Sequence, residues 1–325
     1  MFDPTPSTRE AFRLPGVDRL RRLPGMRCLV EDLATFAVTA GAWLRREPVL
    51  HNVLLTLVAD RLSGDVPLSG DERFVRVVDG GETVGAMVHT PPRGPLLGAL
   101  PPAAARALAD HFVRAAPSLV EVHGPVPAVA EFAQRYAECA SLMAVRSTAQ
   151  RIFALDAVRL PTGVPGHARP ATAADRDLLV TWAVAFAAET SPGRRPVDLS
   201  GQVDARLRHG LLWLWEWAGR PVSTAWLSRP VADVVRVSGV FTPPGERGRG
   251  FASGCVAHVS RYALDAGATT CTLYTDLANP TSNRIYQALG YRRVAEAAQW
   301  RFAPPSEVLI KRFASETDPG LTQTS

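Results

Sequence analysis

The residues whose types and spacing can do chemistry lie late in the chain, at Arg247-Gly248-Arg249-Gly250-Phe251-Ala252. A β-branched run over residues 234–241 leads into a Pro-Pro-Gly turn, then this arginine- and glycine-rich loop, then a segment of helical periodicity. A glycine-rich loop between a strand and a helix start is an anion cradle. Glycine lets the backbone approach a ligand, and the first helical amides point outward unpaired. A phosphorylated ligand is therefore expected. The nucleotide P-loop needs Lys-Ser or Lys-Thr after its last glycine, where this chain has Phe251-Ala252. The dinucleotide fingerprint needs three glycines early in a βαβ unit and an acidic ribose reader some ~20 residues on. Gly248, Gly250 and Gly254 come near the spacing, but they sit late in the chain rather than in an early βαβ unit.

The residues beyond the loop fit a different chemistry. A short β-type run, Cys271-Thr272-Leu273-Tyr274-Thr275-Asp276, precedes Asn279-Pro280-Thr281-Ser282-Asn283-Arg284-Ile285-Tyr286-Gln287-Ala288-Leu289-Gly290-Tyr291. The Arg-x-x-Gly-x-Ala pattern at 247–252 and the Asn…Tyr…Leu-Gly-Tyr block at 279–291 together resemble the GNAT superfamily of N-acetyltransferases, over roughly residues 166–302. The resemblance implies direct transfer of an acetyl group from acetyl-CoA to the amine of a small molecule. It implies that the backbone of Val240 and Phe241 pairs with the pantetheine arm. The amides of Arg247, Gly248, Arg249, Gly250, Phe251 and Ala252 would take the pyrophosphate, with Asn279 and Asn283 at positions that bond the cofactor. Tyr286 matches the family's usual general acid. A phenol with an ordinary pKa of ~10 is protonated at neutral pH and can donate to a departing thiolate. A non-catalytic acyl-CoA-binding or regulatory protein on the same fold is the alternative.

The base that takes the amine proton is open. Glu216 stands among Trp213, Trp215 and Trp217, but strand alternation puts the three tryptophans on one face and Glu216 on the other. Glu189 closes a helix beside the segment that borders the acceptor in the family. His209 at a helix end is equally readable as a cap. Arg194, Arg195 and Asp198 could read an acidic group on the acceptor or be solvated. The Trp213-to-Trp217 run with Trp226 reads as a pocket wall or as core.

These residues need elements to hold them. At 325 residues, two domains are expected. With 46% hydrophobic and 21% charged residues, the chain can build a sizeable core. Helices are expected over 29–44, 48–62, 101–115 and 126–138. A hairpin is expected around Asp79-Gly80-Gly81, a strand at 118–122, and two strands within 142–158. After a Pro- and Gly-bearing linker the pattern restarts: helices over 175–189 and 202–209, a hairpin turning at Gly219-Arg220-Pro221, then the chemical block. Thr90-Pro91-Pro92 and Thr242-Pro243-Pro244 suggest an internal duplication. The first copy lacks the Arg-x-x-Gly-x-Ala loop and carries Pro95 there, so it is expected to be degenerate.

The expected architecture is therefore α/β (α+β), with two GNAT-like domains, each a mixed, mostly antiparallel sheet flanked by helices. The divisions are a lead-in at 1–24, a degenerate unit at 25–160, a linker at 161–170, a catalytic unit at 171–312 and a tail at 313–325. The net charge of +5 is almost all arginine, since Lys311 is the only lysine, and it accompanies high Ala and Pro content. Without an arginine–aromatic cluster, this argues against nucleic acid. No apolar run approaches the ~20 residues of a membrane span, and the N-terminus lacks a signal-peptide layout, so a cytoplasmic monomer or homodimer is expected. The four cysteines (28, 139, 255 and 271) form no C-x-x-C pair; buried small hydrophobes are expected, and no metal.

Overall fold

The computed structural model describes residues 25–115, 118–190 and 198–306. The expected lead-in, the tail, and Arg194 and Arg195 lie outside them. No helix among the described residues is long and apolar enough to cross a membrane.

The chain runs twice through one order of elements. The first pass is β1 (Arg27–Glu31), α1 (Leu33–Thr39), α2 (Gly41–Leu44), α3 (Asn52–Leu62), β2 (Arg73–Asp79), β3 (Glu82–His89), β4 (Leu96–Leu97), α4 (Pro102–Ala115), β5 (Glu121–Pro125), α5 (Ala128–Ala140) and β6 (Met143–Leu155). The second is β7 (His167–Pro170), α6 (Arg176–Thr190), α7 (Ser200–Arg208), β8 (Leu212–Trp217), β9 (Arg220–Leu227), β10 (Val234–Phe241), α8 (Phe251–Asp265), β11 (Thr270–Asp276), α9 (Pro280–Ala288) and β12 (Arg292–Ala303). The starts of α4 and α8, of β5 and β11, and of β6 and β12 are each 149 residues apart.

Most expected elements form, with three differences. Residues 29–44 are not one helix: β1 comes first, and Asp32 then caps α1 by accepting from the Thr35 amide at 2.8 Å. The region 142–158 holds one long strand, β6, rather than two. The expected linker ends in a strand, β7, which pairs with β8.

All twelve strands share one sheet, in the order β1-β2-β3-β4-β5-β12-β6-β11-β10-β9-β8-β7. Its two parallel pairings, one per pass, are β4 with β5 and β10 with β11. The last strands are exchanged. β6 leaves the first pass and pairs with β11 over Cys271–Asp276, and β12 leaves the second and pairs with β5. The two exchanged strands also pair with each other along their length. Side chains go with them. Phe153 and Leu155 of β6 are fully buried in the second core with Tyr286, Val237 and Phe251. Phe302 of β12 packs on Tyr136 in the first core, ring centroids 4.7 Å apart. Pairing and burial thus both cross the 161–170 segment.

The Thr-Pro-Pro correspondence does not survive as a structural equivalence. Thr90-Pro91-Pro92 comes after β3, whereas Thr242-Pro243-Pro244 comes after β10, the counterpart of β4. The duplication itself is carried by the element order. The true counterpart of the 242–250 connection is 98–101, too short to form a loop of the same kind.

Candidate active site

β10 and β11 pair only at Val234–Thr270, Val235–Cys271 and Arg236–Thr272. Beyond Arg236 they part, because β10 stays on β9 and β11 stays on β6. A wedge opens with free backbone on its edges. On the β9 side the register slips between Ser238 and Phe241, a bulge at Gly239 and Val240. Gly239 has φ +55, and a Cβ there would stand 2.5 Å from the Trp226 ring. Gly239→Ala therefore has to leave the left-handed region or displace the indole. It should destabilise the fold by about 1–3 kcal/mol in thermal melts, and an unchanged melting temperature would contradict this reading of the bulge.

The connection from β10 passes Pro244–Glu246 in a 3₁₀ turn and reaches α8 through Gly248 (φ +79) and Gly250 (φ +81). Gly250 is the N-cap of α8 and no side chain caps it. The first helical bond runs from the Gly254 amide to the Gly250 carbonyl at 3.0 Å, which leaves the amides ahead of it facing outward. Open space lies where a Cβ on Gly248 would project. Outward-facing amides at an uncapped helix start are the donors that an anionic group such as a pyrophosphate takes.

The two loop arginines are engaged by the protein. Arg247 donates from Nη2 to both Glu189 oxygens (2.7 and 2.9 Å) and from Nε to the Thr242 carbonyl at 2.9 Å. Arg249 donates to Glu246 at 3.0 Å and stacks 4.0 Å over the Trp217 ring. They brace the loop, and the amides are what it presents. Phe251 is buried beneath it, and Ala252 opens the helix's second position.

Tyr286 lies in the second core, its ring 6.4 Å from Phe153 and 5.9 Å from Tyr291. Its hydroxyl has no hydrogen-bond partner among the described residues, whereas that of Tyr291 is bonded to Ser260 at 2.7 Å. Burial pushes the Tyr286 phenol up to about 12. The first pass has no such group. The i−5 bond that closes α9, Tyr291 amide to Tyr286 carbonyl, has its counterpart in Leu142 to Ala137, so an alanine stands where the phenol would be.

Asn279 and Asn283 both work on the backbone. Asn279 caps α9 by accepting from the Ser282 amide at 3.0 Å. Asn283 donates to the carbonyls of Asp276 at 2.8 Å and Asn279 at 2.7 Å. Together they fix the end of β11 and the start of α9. Val240 and Phe241 sit on the wedge, and the Phe241 carbonyl accepts from Ser223 Oγ at 3.0 Å.

The candidate bases are all paired. Glu189 is held by Arg247, and Glu216 accepts from Arg169 Nε at 2.6 Å. Arg169 also makes a bidentate pair with Asp175 (2.8 and 2.9 Å), which holds that carboxyl down at about 2. His209 bonds Asp65, away from the wedge. The tryptophans resolve as core: Trp213 packs on Tyr262 at 4.7 Å and Trp217 on Phe251 at 5.9 Å, under α8. Glu216 lies on the opposite face, as alternation requires. Cys255 and Cys271 are buried as expected, whereas Cys28 is half-buried and Cys139 exposed; desolvation pushes all four thiols up, which disfavours the thiolate.

Sequence reasoning missed Gly239 and a polar set on the other face of β10: Arg236, and Asn52, Thr56 and Asp60 of α3. Signals for them existed. A lone glycine inside a β-branched run marks a bulge. Arg236 interrupts the same run, and Asn52, Thr56 and Asp60 repeat every fourth residue in a helix whose other residues, Arg61 apart, are apolar.

Comparison with known proteins agrees with this geometry. Residues 179–291 match the acetyltransferase (GNAT) family. The chain is similar in fold to a GCN5-related N-acetyltransferase from Sphaerobacter thermophilus (TM-score 0.57, 18% identity, 85% of this chain and 95% of that one). It is similar also to a GNAT-family acetyltransferase from Colwellia psychrerythraea (TM-score 0.53, 11% identity, 85% of this chain and 100% of that one). A tandem GNAT protein from the clavulanic acid biosynthesis pathway aligns with TM-score 0.53 and 12% identity over 86% of this chain and 98% of that one. No curated protein matches the chain in sequence. Residues 179–291, with the β10–β11 wedge and the uncapped glycine loop at their centre, thus match the acetyltransferase (GNAT) family, whose members are acyltransferases.

Proposed function

We propose that the second half of the chain is an acetyl-CoA-dependent N-acetyltransferase acting on a small-molecule amine. One observation carries this reading: the parallel pair parts beside a strand bulge while the next helix begins on two left-handed glycines without a cap. Acetyl-CoA, when bound, supplies the activated acetyl group. The amides of residues 248–252 receive its pyrophosphate, and the open edge of Val240 and Phe241 receives the pantetheine arm. A backbone N–H at the bulge, aimed into the wedge, polarises the thioester carbonyl. Tyr286 holds its proton until sulfur needs it and donates it to the departing thiolate.

The buried phenol fixes the pH dependence. The protonated form is the active one, so activity is complete below the phenol pKa and is lost as pH rises through about 12. The kcat profile should therefore show no alkaline fall from Tyr286 up to roughly pH 10. A basic limb near pH 8–9 that vanishes in Tyr286→Phe would contradict this.

A non-catalytic acyl-CoA-binding role is the competing reading, favoured by the ion pairs that occupy Glu189 and Glu216. Thiol release from acetyl-CoA with a panel of primary amines separates the two. Amine-dependent release supports catalysis, and tight CoA binding without release supports the competitor. Calorimetry with CoA, ATP and NAD in parallel tests the shared premise, which binding of ATP or NAD but not CoA would overturn.

A further inference from the structure

α3 lays Asn52, Thr56 and Asp60 along one face, against β10 of the second half. Arg236 donates from Nη1 to Asn52 Oδ1 at 2.8 Å and to Thr56 Oγ1 at 3.0 Å, and Asn52 Nδ2 reaches the Val234 carbonyl at 3.4 Å. Arg236 is the last residue at which β10 and β11 pair, so its backbone stands where the wedge begins and its side chain runs from there to α3. Val235 and Val237 belong to the core under α8, and alternation turns Arg236 to the opposite face. That is the side left for an acceptor when the cofactor lies along α8.

Arg206 of α7 completes the arrangement. Its guanidinium stands 5.3 Å over the Trp226 ring. Trp226 pairs with Ser238 and packs against the Gly239 bulge. The Trp226 Nε1 is buried with no partner. Arg206 donates to the Gln202 carbonyl at 3.2 Å, and Arg236 has only the neutral partners named above. Among the described residues, neither guanidinium has a carboxylate within ion-pair distance. Burial lowers both, Arg236 to about 10; the Tyr274 phenol and then Asp60 offset this at Arg236, and Asp60 does so at Arg206. Desolvating two guanidiniums that share one distant carboxylate is costly unless an anion arrives.

We propose that Arg206 and Arg236 form an oxyanion-recognition site for the acceptor, so that the amine acetylated here also carries a carboxylate or a phosphate. The site rests on the acetyl-transfer reading for its role, but its binding is separable from turnover. Guanidiniums bind such groups through paired N–H donors, and the buried Trp226 N–H belongs to the ring over which Arg206 stands.

The test is calorimetric, with CoA present, on matched pairs: alanine against ethylamine, lysine against cadaverine, phosphoethanolamine against ethanolamine. The oxyanion-bearing member should bind roughly 10- to 100-fold tighter. The first two pairs report a carboxylate ligand and the third a phosphate. Arg206→Gln should abolish the difference and Arg206→Lys should keep part of it, while CoA affinity stays within about twofold of the unsubstituted chain. Equal affinities within every pair, absence of binding by all six compounds, or equal weakening of both members by Arg206→Gln would overturn the proposal. If oxyanion-bearing amines bind but acetyl-CoA is never consumed, the catalytic reading fails and this site stands.

Discussion

Replacing Tyr286 with phenylalanine should lower kcat by roughly 100- to 10,000-fold, the usual weight of a positioned general acid. The KM for acetyl-CoA should stay within about twofold, because the lost interaction is made to sulfur only as the C–S bond breaks. The substitution is unusually clean in this protein. The Tyr286 hydroxyl has no partner among the described residues, so removing it orphans no buried donor or acceptor. Its ring packing on Phe153 and Tyr291 is kept by phenylalanine. Folding should therefore change by less than about 1 kcal/mol, and thermal melts of the two proteins should nearly coincide. A variant that melts normally and turns over at the unsubstituted rate would remove the acid role.

The second large effect concerns the whole second half. Expressed alone, residues 161–325 should fail to give a cooperatively folding monomer, and so should residues 1–160. The first fragment lacks β6, which supplies six paired residues to β11 and buries Phe153 and Leu155 beside Tyr286. The other lacks β12, with Ala298 and Phe302 of its own core. Truncating a single buried phenylalanine costs about 3–5 kcal/mol, a large part of the roughly 5–15 kcal/mol that typically stabilises a domain. Losing an entire strand exceeds that margin and bares the edge of β11. Co-expressed, the two fragments should copurify and recover CoA binding. A soluble 161–325 fragment with a sharp thermal transition and unaltered CoA affinity would show that the exchanged strand is dispensable.

The residues legible in the sequence are those whose signals are local. Glycines at 248 and 250 announce the turn into α8, Asn279-Pro280 announces the start of α9, and β-branched runs announce β10 and β11. The duplication is legible too, though the Thr-Pro-Pro match that suggests it pairs two different connections. A turn tripeptide states that the chain bends and says nothing about which strand it leaves. Short β1 is hidden because its apolar residues run straight into those of α1, where strand and helix periods cannot be told apart.

The illegible part is non-local. Glu189 looks free in sequence, and its partner Arg247 arrives from beyond one helix and three strands. The strand exchange leaves no mark, because β6 and β12 have the composition that either neighbour would accept. The polar face of α3 gains meaning only against Arg236, which stands 184 positions away from Asn52.

The exchange also orders events in time. Val122 of β5 finds its β12 partner in Trp300, 178 positions further along the chain. The first core therefore stays unsealed, its β5 edge exposed, until β12 has been made. Pairings this distant slow folding and lengthen exposure to self-association. Nascent chains paused before residue 292 should thus be protease-sensitive in the first half, and completing β12 should protect it.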